Sequence, residues 1–189
     1  ADGADMARLM GGHDPALNYL MERHAASLFR VLCRMLGNEE DANDVAQETF
    51  VRVYRNRDSF RHGHRFSTWL YTIAANLARN HLRWRERHPN VALDVAIDDE
   101  SPSLRDTLPD GRPDAPGQME AAERVDAIRT AVAELPEDLR APLLLAEYED
   151  LSQKEIAGVL SCSVQAVEPR IYRARQPPRA RLGKFLGHL

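Results

Sequence analysis

The sequence has few of the features that support covalent cross-linking or membrane insertion. Its 189 residues include two cysteines, Cys33 and Cys162, which lie far apart and provide no disulfide framework. No apolar run approaches the ~20 residues that cross a bilayer, and the opening ADGADMARLM lacks the pattern of a signal peptide. We therefore expect a soluble protein of the reducing cytoplasm, without direct membrane insertion.

Residue sets for catalysis or metal binding are also missing. The sequence has no readable Ser/His/Asp set, glycine-rich phosphate loop or pair of catalytic carboxylates. His62 and His64 flank Gly63, but no carboxylate or cysteine at suitable spacing completes a metal site. We therefore expect no enzyme activity, no metal and no other cofactor.

What the sequence does contain is charge sorted into blocks. The formal net charge is only −4. Residues 60–88 nevertheless carry six basic side chains and one acidic one, and residues 161–189 have the same balance. Acidic segments separate these two blocks, which indicates selective contact with polyanions rather than general stickiness.

One of the acidic segments has the composition of a linker. Residues 89–117 contain seven acidic residues, five prolines and few large apolar side chains. Such a segment cannot bury enough surface to offset its ordering entropy. The flanking segments have helical periodicity, and none alternates like a strand. The sequence therefore predicts an all-α protein with a small helical domain at residues 1–88, a flexible acidic linker at 89–117 and a second small helical domain at 118–189.

Hydrophobic spacing predicts three helices in the first domain. The first begins at Asp14–Pro15 and ends at Gly37. Asn38 can cap the second, whose expected buried residues are Ala42, Val45, Ala46, Thr49, Phe50, Val53 and Tyr54. The outer face of that helix carries Asp41, Asp44, Gln47, Glu48 and Arg52. In the third, the residues expected to face inward are Phe66, Trp69, Leu70, Ile73, Ala74 and Leu77.

The polar face of the third helix has the residue types of a nucleic-acid surface. It carries Asn76, Asn80, Arg83 and Arg87, with Arg79 beside them, and a loop with Phe60, Arg61, His62 and His64 precedes it. Arginines suit phosphates, amides suit base edges, and an aromatic ring can stack on an extruded base. The alternative is a solvated helix face with core aromatics. Phe60 and Trp84 are compatible with either role.

Residues 151–175 have the pattern of a helix-turn-helix. Ser152 and Glu155 form a capping box, and Ile156, Ala157, Val159 and Leu160 make an apolar face. Ser161–Ser163 is the expected turn, with Ser163 as the second N-cap. Val164, Val167 and Ile171 continue the expected buried stripe. The opposite face is rich in arginine, as a helix in the major groove requires, although an ordinary amphipathic hairpin has a similar pattern.

Three segments together resemble a known family. DANDVAQETFVRVYRNRDSF, FSTWLYTIAANLARNHLR and LPEDLRAPLLLAEYEDLSQKEIAGVLSCSVQAVEPRIYRAR resemble regions two and four of bacterial sigma factors. The resemblance is to the extracytoplasmic-function (ECF) group of the sigma-70 family, which lacks the intervening third domain. It implies a factor that binds core RNA polymerase, directs it to promoter DNA and helps melt the DNA. It also implies an anti-sigma protein that holds the factor inactive.

The resemblance assigns residues to three surfaces. Core polymerase would dock on Asp41, Asp44, Gln47, Glu48 and Arg52. The melted minus-ten element would be held by Phe60, Arg61, His62, Asn76, Arg79, Asn80 and Arg83. The minus-35 element would be read by Ser163, Gln165, Ala166, Glu168, Arg170, Arg173 and Arg175. The acidic linker would thread polymerase channels.

The sequence departs from the family pattern at Pro169, where serine or threonine is usual. Proline inside a helix removes a hydrogen bond and clashes with the preceding turn. We therefore expect a kinked or shortened recognition helix, stopped near Gln176 by Pro177 and Pro178, and weakened minus-35 reading.

Two other functions would explain part of this sequence pattern. A polymerase-independent operator-binding regulator explains residues 151–175 but assigns no role to the upstream helices, and it normally requires a dimer. A helical adaptor that binds only proteins explains the amphipathic helices but not the asparagine and arginine face.

Overall fold

The computed structural model describes residues 1–88 and 127–176, and the chain divides into two compact units, Ala1–Pro109 and Asp110–Leu189. The described residues form helices and turns and contain no strand, so the predicted all-α fold with two helical domains is confirmed. The linker at 89–117 and the domain start at 118 lie outside the described residues and stay predictions. Within the described ranges, no helix combines the length and apolar character required to span a membrane.

The first unit contains four α-helices. They are α1 (Asp2–Met10), α2 (Ala16–Leu36), α3 (Glu39–Arg55) and α4 (Phe66–Arg87), with a 3-10 turn at Arg57–Ser59 between α3 and α4. Helix α2 contacts the other three helices. The unit is therefore built around α2, whose buried residues include Leu20, Leu28 and Leu32.

The boundary between α2 and α3 follows the sequence signals. Gly37 ends α2 with a left-handed backbone (φ 73°), which glycine adopts without the steric cost of a Cβ. The Asn38 side chain then accepts a hydrogen bond from the Asp41 backbone N–H at 3.0 Å, so the predicted cap is confirmed. The predicted buried stripe of α3 is confirmed for Ala42, Val45, Ala46, Thr49, Phe50 and Val53, while Tyr54 is half-buried.

The buried face of α4 is rotated relative to the predicted face. Its buried residues are Phe66, Leu70, Tyr71, Ala74, Ala75 and Ala78. Trp69, Ile73 and Leu77, which we expected to face inward, are half-buried. The prediction is confirmed for Phe66, Leu70 and Ala74. Alanines carry too little apolar surface to mark a face in a pattern of large side chains, so the buried Ala75 and Ala78 were missed.

Helix α1 is an element that the sequence analysis did not predict. Met6 and Leu9 are fully buried, and Asp5 is only 4% exposed. The Asp5 carboxylate accepts hydrogen bonds from Arg8 and from Arg23 of α2, and Asp2 pairs with Arg23 at 2.8 Å. Two acidic residues of α1 are thus tied to α2 through one guanidinium.

This network affects the titration of Asp2. Partial burial opposes its ionisation, but hydrogen bonds and charges from His24 and Arg23 lower the pKa of Asp2 below its ordinary value of 3.8. A lowered pKa in the folded state stabilises the fold at pH values above the unfolded pKa. That contribution is lost as the pH falls through the folded pKa.

The second unit contains a helical segment at 127–133 and three further helices. These are α5 (Glu137–Glu149), α6 (Gln153–Leu160) and α7 (Val164–Arg175). The predicted capping box of α6 is confirmed, since the Ser152 hydroxyl accepts from the Glu155 N–H while the Glu155 carboxylate accepts from the Ser152 N–H at 2.9 Å. Helix α7 contacts both α5 and α6.

Pro169 does not end α7, which continues to Arg175. The expectation of a shortened helix is wrong at that position, although the predicted stop near Gln176 is confirmed. Pro169 lies on the exposed side, where its ring meets solvent. It still lacks the N–H that would donate to the carbonyl of Gln165.

Replacing Arg23 with alanine is expected to destabilise the first unit by about 2 kcal/mol, because the buried Asp5 carboxylate loses a charged donor. Urea unfolding followed by tryptophan fluorescence measures this in the full chain, since Trp69 and Trp84 are its only tryptophans. Arg30→Ala, an exposed position on the same helix, is the control. Equal unfolding midpoints for both variants would contradict a structural role of the network.

Replacing Pro169 with serine is expected to stabilise α7 by up to about 3 kcal/mol, because it restores a backbone donor inside the helix. Hydrogen exchange of α7 amides in the full chain measures this as increased protection. Gln165→Ser introduces the same residue on the same helix without restoring a donor, and little change is expected. Unchanged protection in the Pro169 variant would show that the proline costs this helix nothing.

Candidate nucleic-acid interfaces

The polar face of α4 is exposed as predicted. Asn76, Asn80 and Arg83 are exposed, and Arg79 is half-buried beside them. Arg79 Nη1 donates to Asn76 Oδ1 at 3.3 Å, which holds the two side chains together. The Asn80 side chain makes no hydrogen bond within residues 1–88 and 127–176, so its amide is available to a ligand. This face offers amide donors and acceptors next to cations.

The loop before α4 presents five exposed residues, Arg61, His62, Gly63, His64 and Arg65. Gly63 has φ 88°, a left-handed conformation that favours glycine. Two of the five side chains are arginines. The loop therefore extends the cationic surface of α4 into solvent.

Phe60 does not have the stacking role that the sequence left open. It is 4% exposed, and its ring centroid lies 5.3 Å from that of Trp69 and 6.4 Å from that of Phe66. His24 packs on the other side of the cluster, 5.0 Å from Phe66. Phe60 is therefore a core residue that fixes one end of the loop, while Phe66 fixes the other.

Trp84 is the exposed aromatic residue of α4. It is 41% exposed and stacks against His88 with ring centroids 4.9 Å apart. His88 Nδ1 lies 2.9 Å from the Trp84 carbonyl oxygen, which fixes that ring. Trp84 thus offers the aromatic surface that Phe60 does not, near the C-terminal end of the polar face.

The outer face of α3 is only partly free. Asp44 is exposed, Gln47 is half-buried, and Glu48 pairs with Arg52 at 2.7 Å. Asp41 differs, because its side chain is 22% exposed and accepts from Arg85 of α4 at 3.0 Å. Arg85 was not among the predicted site residues, and it connects the α3 face to the end of α4.

Helix α7 presents a mixed rather than a uniformly basic face. Its buried residues are Val167, Ile171 and Ala174. Gln165, Glu168, Arg173 and Arg175 are exposed as predicted, whereas Ala166 and Arg170 are half-buried toward another side. Arg175 also pairs with Glu147 of α5 at 2.6 Å.

One prediction at the start of α7 is confirmed and one is wrong. Ser163 is the N-cap of α7 as predicted, although its side chain makes no capping hydrogen bond. Val164, expected in the buried stripe, is 41% exposed. The buried face of α7 consists of Val167, Ile171 and Ala174 and does not extend back to its first residue.

The described residues contain no group of three or more metal-ligating side chains. Cys33 and Cys162 are both free thiols. Burial raises the pKa of Cys33 to about 11, so its thiol is protonated at neutral pH and is a poor nucleophile.

Two family models match the chain. Sigma-70 region 2 matches residues 20–88, and sigma-70 region 4 matches residues 126–176. The first match contains α3, α4 and the loop between them. The second contains the whole helix-turn-helix.

Two relatives that align over most of the chain are RNA polymerase sigma factors. The RNA polymerase sigma-H factor of Pseudomonas aeruginosa is 35% identical over 89% of this chain and 87% of its own. The ECF RNA polymerase sigma-E factor of Haemophilus influenzae is 36% identical over 93% of this chain and 92% of its own.

Solved structures share the fold. CnrH, in complex with the cytosolic domain of CnrY, aligns with TM-score 0.65 and 26% identity, covering 98% of this chain and 96% of that one. The sigma factor RpoE of Bartonella quintana, in complex with the anti-sigma factor NepR, aligns with TM-score 0.62 and 20% identity, covering 91% and 97%.

Both sigma-70 family models match in the expected order, and relatives of 35% and 36% identity align over most of the chain. The protein belongs to the extracytoplasmic-function group of the sigma-70 family of RNA polymerase sigma factors.

Proposed function

We propose that this sigma factor uses three surfaces to start transcription. The outer face of α3 docks on core RNA polymerase through Asp44, Gln47, Glu48 and Arg52, with Asp41 supporting it through Arg85. The loop and α4 hold the melted minus-ten element through Arg61, His62, Asn76, Arg79, Asn80 and Arg83. Helix α7 reads the minus-35 element through Ser163, Gln165, Ala166, Glu168, Arg170, Arg173 and Arg175.

The observation that carries this proposal is the exposed row of Asn76, Asn80 and Arg83 on the helix that follows an exposed cationic loop. Extruding a base costs a few kcal/mol, which hydrogen bonds to its edges and stacking offset. The asparagine amides supply the hydrogen bonds, and Trp84 supplies an exposed ring. Phe60 contributes indirectly, by anchoring the loop.

Several broader features belong to the same proposal. The factor acts in the cytoplasm and has no catalytic activity of its own, because promoter melting requires binding energy rather than covalent chemistry. Its domains are residues 1–88 and 118–189, joined by a flexible linker at 89–117. An anti-sigma protein controls it, a role supported by the similarity in fold to the sigma factor RpoE in its complex with the anti-sigma factor NepR.

An operator-binding regulator is the competing function. It accounts for α6 and α7 but assigns no role to the asparagine row of α4. It also requires a symmetric dimer to read paired half-sites. The family matches across both units favour the sigma role.

Two variants separate polymerase docking from base capture. Asp44→Arg is expected to weaken binding to core polymerase by reversing an exposed charge, so its transcription deficit is overcome by excess chain. Asn80→Ala is expected to retain core binding but to reduce transcripts about tenfold, since base-edge hydrogen bonds are lost. Excess chain does not restore the second variant.

Both variants are measured in run-off transcription and in a core-binding assay, and Asp44→Arg and Asn80→Ala serve as controls for each other. Loss of core binding by Asn80→Ala, or full transcription by it, contradicts the assignment of the α4 face. Normal core binding by Asp44→Arg contradicts the assignment of the α3 face.

A further inference from the structure

We propose that Val164 and Glu168 determine the sequence preference of α7, by reading a thymine methyl and a cytosine amino group that lie within two base pairs of each other. The proposal rests on the minus-35 role of α7 given above. Neither side chain is basic, so their contribution is selectivity rather than attraction to phosphates.

Val164 is placed to touch a base edge. It is the first residue of α7 and is 41% exposed. The N-terminal residues of a recognition helix are those that contact base edges in the major groove. The thymine C5 methyl is the apolar group of that groove, so an exposed valine there selects thymine.

Glu168 lies one turn further along, on the same side of α7 as Val164 because the two are spaced i, i+4. Its carboxylate is exposed and makes no ion pair or hydrogen bond within residues 127–176. The residues three and four positions away on the helix, Val164, Gln165, Ile171 and Tyr172, carry no positive charge. Among residues 127–176, no cation is paired with this carboxylate, so in the proposed complex it meets the DNA as an unpaired anion.

The nearby arginines do not compensate for that charge. Arg175 pairs with Glu147 at 2.6 Å, and Arg170 is half-buried on another side of the helix. The DNA phosphates repel an unpaired carboxylate. A hydrogen bond that a base donates to the carboxylate offsets this repulsion. Cytosine N4 is such a donor. Adenine N6 is also a donor, but the adenine N7 beside it is an acceptor, to which a carboxylate cannot donate.

The spacing of the two side chains fits nearby base pairs. Four residues of helix rise about 6 Å along the axis, and successive base pairs are about 3.4 Å apart. Val164 and Glu168 therefore reach base pairs no more than two steps apart. The predicted target is a thymine and a cytosine at that separation within the minus-35 element.

The test is run-off transcription by core polymerase with the full chain, on duplex promoters randomised across the minus-35 region and carrying one fixed minus-ten element. The wild-type chain is expected to enrich a thymine and a cytosine within two positions. Replacing that thymine with deoxyuridine is expected to lower transcription about fourfold, the value of one buried methyl group.

Two variants test the residues individually. Val164→Ala is expected to lose the thymine preference and to respond little to deoxyuridine. Glu168→Gln is expected to shift the cytosine position to adenine by about tenfold, because an amide bonds adenine N6 and N7 together. Asp138→Asn, which removes an exposed carboxylate at the start of α5, is the control and should keep the wild-type preference.

The outcomes separate this proposal from the one that it rests on. If the wild-type chain shows base preferences that both variants retain, Val164 and Glu168 do not read the DNA. If the wild-type chain transcribes without any preference across the randomised region, α7 does not read a minus-35 element at all. Thermal unfolding of each variant checks that an altered preference does not arise from an unfolded second unit.

Discussion

The packing of Phe60 and Phe66 against Trp69 is the contact on which the candidate minus-ten surface depends. It buries both ends of the five-residue loop and leaves the loop itself exposed. His24 extends the contact to α2, and its ring lies 2.9 Å from Asp2 of α1. The loop is thus held by packed rings, and a hydrogen bond links their histidine to α1, an element that precedes the family match at residue 20.

We expect the charges of both units to restrain unselective binding to DNA. Cations alone give affinity that depends on salt and ignores sequence. In this protein several arginines are engaged by partners of their own: Arg175 by Glu147, Arg52 by Glu48 and Arg85 by Asp41. The net charge of −4 acts in the same direction. In the proposed function, amides, an exposed valine and an exposed tryptophan then supply contacts that distinguish bases, and these are effective only when a base is within reach.

The sequence predicted the elements with strong local signals. The cap at Asn38, the glycine stop at Gly37 and the capping box of α6 each involve residues within a few positions, so their geometry follows from spacing. The exposed asparagine row of α4 was predicted for the same reason. Helix α1 was missed because nine residues with two fully buried side chains have too short an apolar pattern, and Asp5 is buried only through its tertiary pairing with Arg23.

Other differences arise where tertiary packing decides. Phe60 lies in a polar stretch, and its burial depends on Phe66 and Trp69 from the next helix. Val164 fits a buried stripe by spacing, but α5 and α6 leave it outside. The pairing of Asp41 with Arg85 joins residues more than forty positions apart, which no local pattern reveals. These three residues change the proposed site: Phe60 is removed as a stacking ring, Val164 is added as a proposed base reader, and Asp41 becomes a support for the proposed docking face.

Run-off transcription by core RNA polymerase, with and without this chain, on a pool of promoter fragments, tests the central claim most directly. The account predicts discrete transcripts that appear only when the chain is present. Identical transcripts with and without the chain would contradict it. So would a chain that binds duplex DNA as a symmetric dimer and has no affinity for core polymerase.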